Sequence, residues 1–175
     1  MPERAGSLVI GYFAGCFLTA AIVARVAKGR NIREIGTGNP GMANVMANIG
    51  KKAGVIVLLG DILKTVLGMG VAWALFGASL GRNAFLWSGL GCVLGHNFPF
   101  WCKGKGGKGV TVTCSWLIVL MPIWGSFACI LGGLLTLQTG YLPLGAVVIP
   151  ATAIPFAIWK LGKEGFLLIV LGELW

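Results

Sequence analysis

From Gly6 to Ala27 the chain carries one charged residue, Arg25, close to the end of the run. A hydrocarbon core about 30 Å thick takes about 20 consecutive apolar residues as a helix, because no water is there to satisfy an open backbone. The same pattern returns over about 53–77 and 84–101, and from Val110 to Ile158 apolar residues continue almost unbroken. With 57% hydrophobic and 11% charged residues the chain lies outside the range of soluble domains, which hold about 25% charged residues. These runs predict one all-α domain, residues 1–175, a polytopic integral membrane bundle of about seven transmembrane helices with the last one short. Met1-Pro2-Glu3-Arg4 leads into the first run without a small-residue cleavage site, so it reads as a first membrane helix, not as a removed signal peptide.

The net charge of +9 follows the topology. Lys28, Arg30, Arg33, Lys51 and Lys52 frame one loop and Lys103, Lys105 and Lys108 another, which is eight of the fourteen basic residues. The positive-inside rule places both loops in the cytoplasm, two crossings apart and able to share one pocket. Basic residues that punctuate apolar runs do not form the basic face of a soluble nucleic-acid binder, so no nucleic acid is expected. The five cysteines show neither C-x-x-C nor zinc spacing and read as small buried residues; no metal and no cofactor is expected.

Both loops are rich in glycine. Lys103-Gly104-Lys105-Gly106-Gly107-Lys108-Gly109 alternates cations with residues that tolerate positive φ, so its N–H groups can form a concave nest for an anion such as phosphate. The alternative is a flexible basic loop held at the inner face. Gly36-Thr37-Gly38-Asn39-Pro40-Gly41 is strong turn chemistry, and Met42–Ile49 can form a short helix after it. Asp61 and Lys64 lie mid-span at i, i+3 on one helix face, as a paired charge that fixes packing or as catalytic groups. His96, the sole histidine, precedes Pro99 where the third helix, expected to end near 101, gives way to the lysine loop. Further expectations are an outer loop over Gly77–Asn83, a fourth span ending near Met121, a fifth over about 123–138, a turn over 138–143, and a sixth over about 144–159 containing Pro150 and Pro155. Lys160, Lys163 and Glu164 then form an outer loop, and Phe166–Trp175 is too short to span. H-E-x-x-H, G-x-S-x-G and a true P-loop are absent, which gives no support to metal, acyl-enzyme or nucleotide chemistry.

Three segments together resemble the acyl-phosphate-dependent glycerol-3-phosphate acyltransferases of the bacterial inner membrane. Gly36-Thr37-Gly38-Asn39-Pro40-Gly41-Met42-Ala43-Asn44 with Gly50-Lys51-Lys52 is similar to the family's G-S-G-N-x-G-A-T-N and G-K-K. Gly95-His96-Asn97-Phe98-Pro99 and Lys105-Gly106-Gly107-Lys108-Gly109-Val110 are close to G-H-x-[FY]-P and K-G-G-K-G-V, and Asp61-Ile62-Leu63-Lys64 to D-x-x-K. The resemblance implies transfer of a fatty acyl group from acyl phosphate to the 1-hydroxyl of glycerol 3-phosphate, with the lipid bilayer as the acyl chain's medium. It assigns Lys108 and Lys105 to phosphate, Gly36, Gly38, Gly106 and Gly107 to close backbone approach, and Thr37, Asn39 and Asn44 to hydrogen bonds. His96 goes to loop anchoring or to acyl phosphate, and no residue is assigned as catalytic. Departures fall on polar positions: Thr37 stands for serine, Ala43 for threonine, Ala47 for arginine and Ala146 for serine, and the family's H-R-x-N would begin a few residues beyond Trp175. The alternative these losses support is a non-catalytic or altered-specificity lipid- or phosphate-binding protein on the same scaffold.

Overall fold

The computed structural model describes residues 1–173, so Trp175 lies outside the described residues. The regular structure of the described residues is helical: α1 (Pro2–Gly15), α2 (Thr19–Lys28), α3 (Met42–Asn48), α4 (Lys51–Leu80), α5 (Asn83–Asn97), α6 (Val110–Leu120), α7 (Pro122–Thr139) and α8 (Leu142–Glu173). Four stretches are long and apolar enough to cross a membrane: Pro2–Lys28, Lys51–Leu80, Pro122–Thr139 and Leu142–Gly172. Taking α1 and α2 as one span and the two arms of α8 separately, seven apolar helical segments surround the loops, as the sequence predicts.

Four local features depart from expectation. The first span is broken: Leu18 is extended (φ −92°, ψ 94°), which ends α1 and starts α2 afresh. The outer loop after the second span shrinks to Gly81 and Arg82, because α4 runs on to Leu80 and Gly81 turns the chain at φ 52°. The third helix stops at Asn97, not near 101, where the residue before Pro99 leaves the helical region (Phe98 φ −128°, ψ 58°). Lys160, Lys163 and Glu164 are not in a loop. Helix continues on both sides of Gly162, whose left-handed φ of 68° breaks α8 into two arms. Glu164 then holds the second arm at the face opposite the glycine-rich loops, accepting two hydrogen bonds from Arg4 (2.9 and 3.1 Å) and one from Trp87 Nε1 (2.7 Å).

The centre of the bundle is the contact of α1 with α5, and glycine makes it. Gly11 and Gly15 on α1 face Gly91 and Gly95 on α5, each pair four residues apart on one helix face. A Cβ on Gly11 or Gly15 would overlap the carbonyl oxygen of Ser88 or Cys92, and one on Gly91 or Gly95 that of Leu8 or Tyr12. In lipid, where apolar surface gains nothing by meeting other apolar surface, such small-residue seams let backbones pack in direct contact. Beside this seam Trp116, Leu86, Leu90, Val93 and Leu117 fill a core closed by Leu168 and Ile169 of the second arm of α8. A smaller cluster of Ala20, Ala24, Val45 and Val57 with Ile32 and Ile35 roots the first glycine-rich loop on α2 and α4. α6 rises only about 16 Å over its length, half of a hydrocarbon core, so its turn into α7 at Met121 is buried in protein, as open backbone at that depth requires.

Candidate active site

The first loop is built by Asn44. Its amide nitrogen donates to the carbonyls of Ile35 (2.9 Å) and Asn39 (3.0 Å), while Oδ1 accepts from the Thr37 N–H (3.0 Å) and from Asn48 Nδ2 (3.0 Å). These bonds engage the whole amide, so Asn44 shapes the loop from within. Gly36 is required for the same reason: at φ 54° a Cβ would collide with the amides of Asn44 and Asn48. Thr37 is exposed, and its hydroxyl accepts weakly from the Asn39 N–H (3.4 Å).

The second loop does not form the expected anion nest. Gly106 N–H donates to the Asn97 carbonyl (2.8 Å) and Gly107 N–H to that of His96 (2.9 Å), satisfying carbonyls left open at the end of α5. A Cβ on Gly106 would overlap those carbonyls and one on Gly107 the His96 ring, so these glycines pack closely on α5. The free donors lie one step further on. Gly109 takes φ 70° and starts α6, whose first hydrogen bond runs from Thr113 N–H to Gly109 C=O (2.8 Å). The N–H groups of Val110, Thr111 and Val112 therefore point out of the helix start, the position where an anion is best received.

Arg33 joins the loops. Its guanidinium donates to the carbonyls of Gly38 (3.1 Å) and Gly106 (3.0 Å) and also to that of Lys105. The spacing of basic residues identifies Arg33 only as inner-face charge; two of its three carbonyl partners lie in a loop more than seventy residues away, which no local pattern reports. We expect Arg33→Ala to leave the helices folded and to speed amide hydrogen exchange over residues 103–109 through loss of loop register. Unchanged exchange there would remove Arg33 from this role.

Between the loops lies a cavity of about 370 Å³. One wall carries Asn39, Gly41, Met42 and Ala43; the floor carries Asp61, His96, Lys108, Gly109, Thr111 and Thr113; the inner end of α8 supplies Leu142, Pro143, Ala146, Val147, Ile149 and Pro150. Of the residues predicted from sequence, Asn39, His96 and Lys108 line it. Gly36, Thr37, Gly38, Asn44, Lys105, Gly106 and Gly107 stand outside its lining. Lys108 is exposed and has no protein ion-pair partner among the described residues. Two of the departures, Ala43 and Ala146, present methyl groups to the same space. Asp61 and Lys64 do pair (2.9 Å), and Thr19 also donates to Asp61 (3.3 Å). Lys64 in addition reaches His96 Nδ1 at 2.8 Å, a contact that spacing on α4 does not disclose. Among the described residues no group of His, Cys, Asp or Glu has the arrangement of a metal site.

The family model for glycerol-3-phosphate acyltransferase matches residues 5–174. A glycerol-3-phosphate acyltransferase 1 of Lactobacillus johnsonii is 42% identical over 126 residues, 72% of this chain and 60% of that protein. A glycerol-3-phosphate acyltransferase of Alkaliphilus metalliredigens is 32% identical over 160 residues, 91% of this chain and 80% of that protein. A solved structure of PlsY (YgiH), an integral membrane glycerol 3-phosphate acyltransferase in its glycerol 3-phosphate form, aligns with a TM-score of 0.83 and 26% identity, over 97% of this chain and 84% of that one. By the extent of the family match and by the helical architecture that carries it, the chain belongs to the glycerol-3-phosphate acyltransferase family of integral membrane proteins.

Proposed function

We propose that this protein transfers a fatty acyl group from acyl phosphate to the 1-hydroxyl of glycerol 3-phosphate at the cytoplasmic face of a bacterial inner membrane. The observation that carries the reading is the one cavity bounded by both glycine-rich loops. It is cationic and donor-rich where Lys108 meets the start of α6, and apolar where α8 brings Leu142, Val147 and Ile149. Acyl phosphate has that same polarity, a dianionic head on a hydrocarbon chain. Lys108 and the N–H groups of Val110 and Thr111 would hold its phosphate, and the chain would follow α8 toward the bilayer. The glycerol hydroxyl attacks the acyl carbon, the new ester C–O bond forms as the bond from acyl carbon to phosphate oxygen breaks, and the hydroxyl proton passes to a phosphate oxygen. Products are lysophosphatidic acid and inorganic phosphate. Asp61 borders the cavity but is engaged by Lys64 and Thr19, which leaves the substrate's own phosphate as the base. The protein then acts by position and by fixed donors.

Ala43 and Ala146 support a second reading, a protein that binds acyl phosphate without turning it over, since two methyl groups replace hydroxyls on the cavity wall. One experiment separates them. Purified protein in lipid vesicles, given both substrates, should release phosphate and form lysophosphatidic acid, with neither product when glycerol 3-phosphate is left out. Binding of an acyl phosphonate without phosphate release would establish the second reading.

A further inference from the structure

The break between α1 and α2 leaves the carbonyls of Gly15 and Phe17 without helical partners inside the membrane. Lys64 of α4 lies against both: Nζ makes three near contacts for its three N–H donors, to Phe17 O at 2.8 Å, Asp61 Oδ1 at 2.9 Å and His96 Nδ1 at 2.8 Å, with Gly15 O more distant at 3.3 Å. Carbonyl and carboxylate oxygens only accept, and an ammonium has three N–H donors and no lone pair. His96 Nδ1 must then be an acceptor. A proton on it would set two N–H donors against each other at 2.8 Å. The tautomer is thereby assigned by its partner, and the imidazole proton sits on Nε2. Nε2 lies under Gly107 and has no protein partner among the described residues, and His96 borders the cavity together with Lys108.

We propose that Lys64 is a positioning residue that holds His96 as its Nε2–H tautomer, so that Nε2–H donates a hydrogen bond to a phosphate oxygen of the acyl phosphate. The inference rests on the reaction proposed above. It changes the meaning of the Asp61–Lys64 pair: Asp61 holds the ammonium in place, the ammonium orients the ring, and the ring presents one fixed donor beside Lys108. A bare packing pair would give the same burial but would have no reason to touch Nδ1 of a cavity residue. The same ammonium also ties the ring to the kink of the first span, so ring and kink share one anchor.

His96 is the only histidine, so histidine labelled with ¹⁵N gives one imidazole to observe, provided that the purification tag contains none. The full chain in lipid discs should show an unprotonated Nδ1 and a protonated Nε2, and an acyl phosphonate should shift the Nε2 signal while glycerol 3-phosphate does not. The variant Asp61→Leu with Lys64→Met removes both charges together and strands neither. It should show mixed tautomers and a KM for acyl phosphate raised about tenfold, with the KM for glycerol 3-phosphate changed by less than about twofold. A wild-type ring protonated at Nδ1, or an Nε2 signal unmoved by the phosphonate, overturns the proposal whether or not the variant folds. So does a folded double variant with the wild-type tautomer and KM. Absence of phosphate release from the wild type would reject the proposed reaction alone, because the tautomer and the phosphonate shift are measured without turnover.

Discussion

Lys108→Ala should weaken binding of an acyl phosphonate about 10- to 100-fold, the range for loss of a hydrogen bond to a charged group. Its thermal stability should stay that of the parent. Both expectations come from one fact: Lys108 is exposed and pairs with no acidic side chain among the described residues, yet it lines the cavity at the start of α6. Removing it takes a cation from the ligand and nothing from the fold. Lys108→Arg should restore part of the affinity and less of the turnover, because a compact ammonium on a flexible stem can follow a phosphate as its acyl bond breaks, whereas a planar fork cannot. Residual binding in Lys108→Ala should respond weakly to salt, since what remains is uncharged donors, the N–H groups of α6 and His96 Nε2–H. Calorimetry in detergent measures all of this. Equal affinity for wild type and Lys108→Ala would place the phosphate elsewhere in the cavity.

Gly91→Leu should abolish the folded protein, with a cost of at least about 3 kcal/mol. A Cβ there overlaps the Leu8 carbonyl and crowds the Tyr12 N–H, so the clash is backbone against side chain and no rotamer relieves it. α1 would have to move off α5, opening the Gly11–Ser88, Gly15–Cys92 and Gly95–Tyr12 contacts together. Loss should therefore be cooperative, and Gly95→Leu should behave alike. Gly70 is the control. It lies on the same bundle in α4, is exposed, and has nothing within 4 Å of a built Cβ, so Gly70→Leu should melt within about 0.5 kcal/mol of the parent. Folded yield and thermal unfolding in detergent report both variants. A Gly91→Leu protein that melts like the Gly70→Leu protein would show that the seam is not in direct contact.

The sequence by itself determined the class of fold and the two loops that face each other. Apolar runs of membrane length leave the backbone no partner but its own helix, and basic clusters two crossings apart must return to one side. The family pattern around Gly36–Asn44 and Lys105–Val110 needed no coordinates either, because turn glycines and loop lysines carry their chemistry locally. Tertiary structure decided which groups each motif residue contacts. Gly106 and Gly107 suggest a nest when only their own conformational freedom is considered, but the end of α5 presents two open carbonyls to them, and pairing buried backbone outranks keeping N–H groups free for a ligand. The open N–H groups thereby lie at the start of α6. Asn44 turns inward for the same reason, and Arg33 acquires carbonyl partners that no local spacing could announce. Gly11, Gly15, Gly91 and Gly95 are visible as small residues, but only the docking of α1 on α5 shows that they meet. Lys64 is the clearest case. Its i, i+3 partner Asp61 is written in the sequence because both lie on one helix, whereas Phe17 reaches it from the break between α1 and α2 and His96 from α5, and such contacts depend on packing that no single helix encodes.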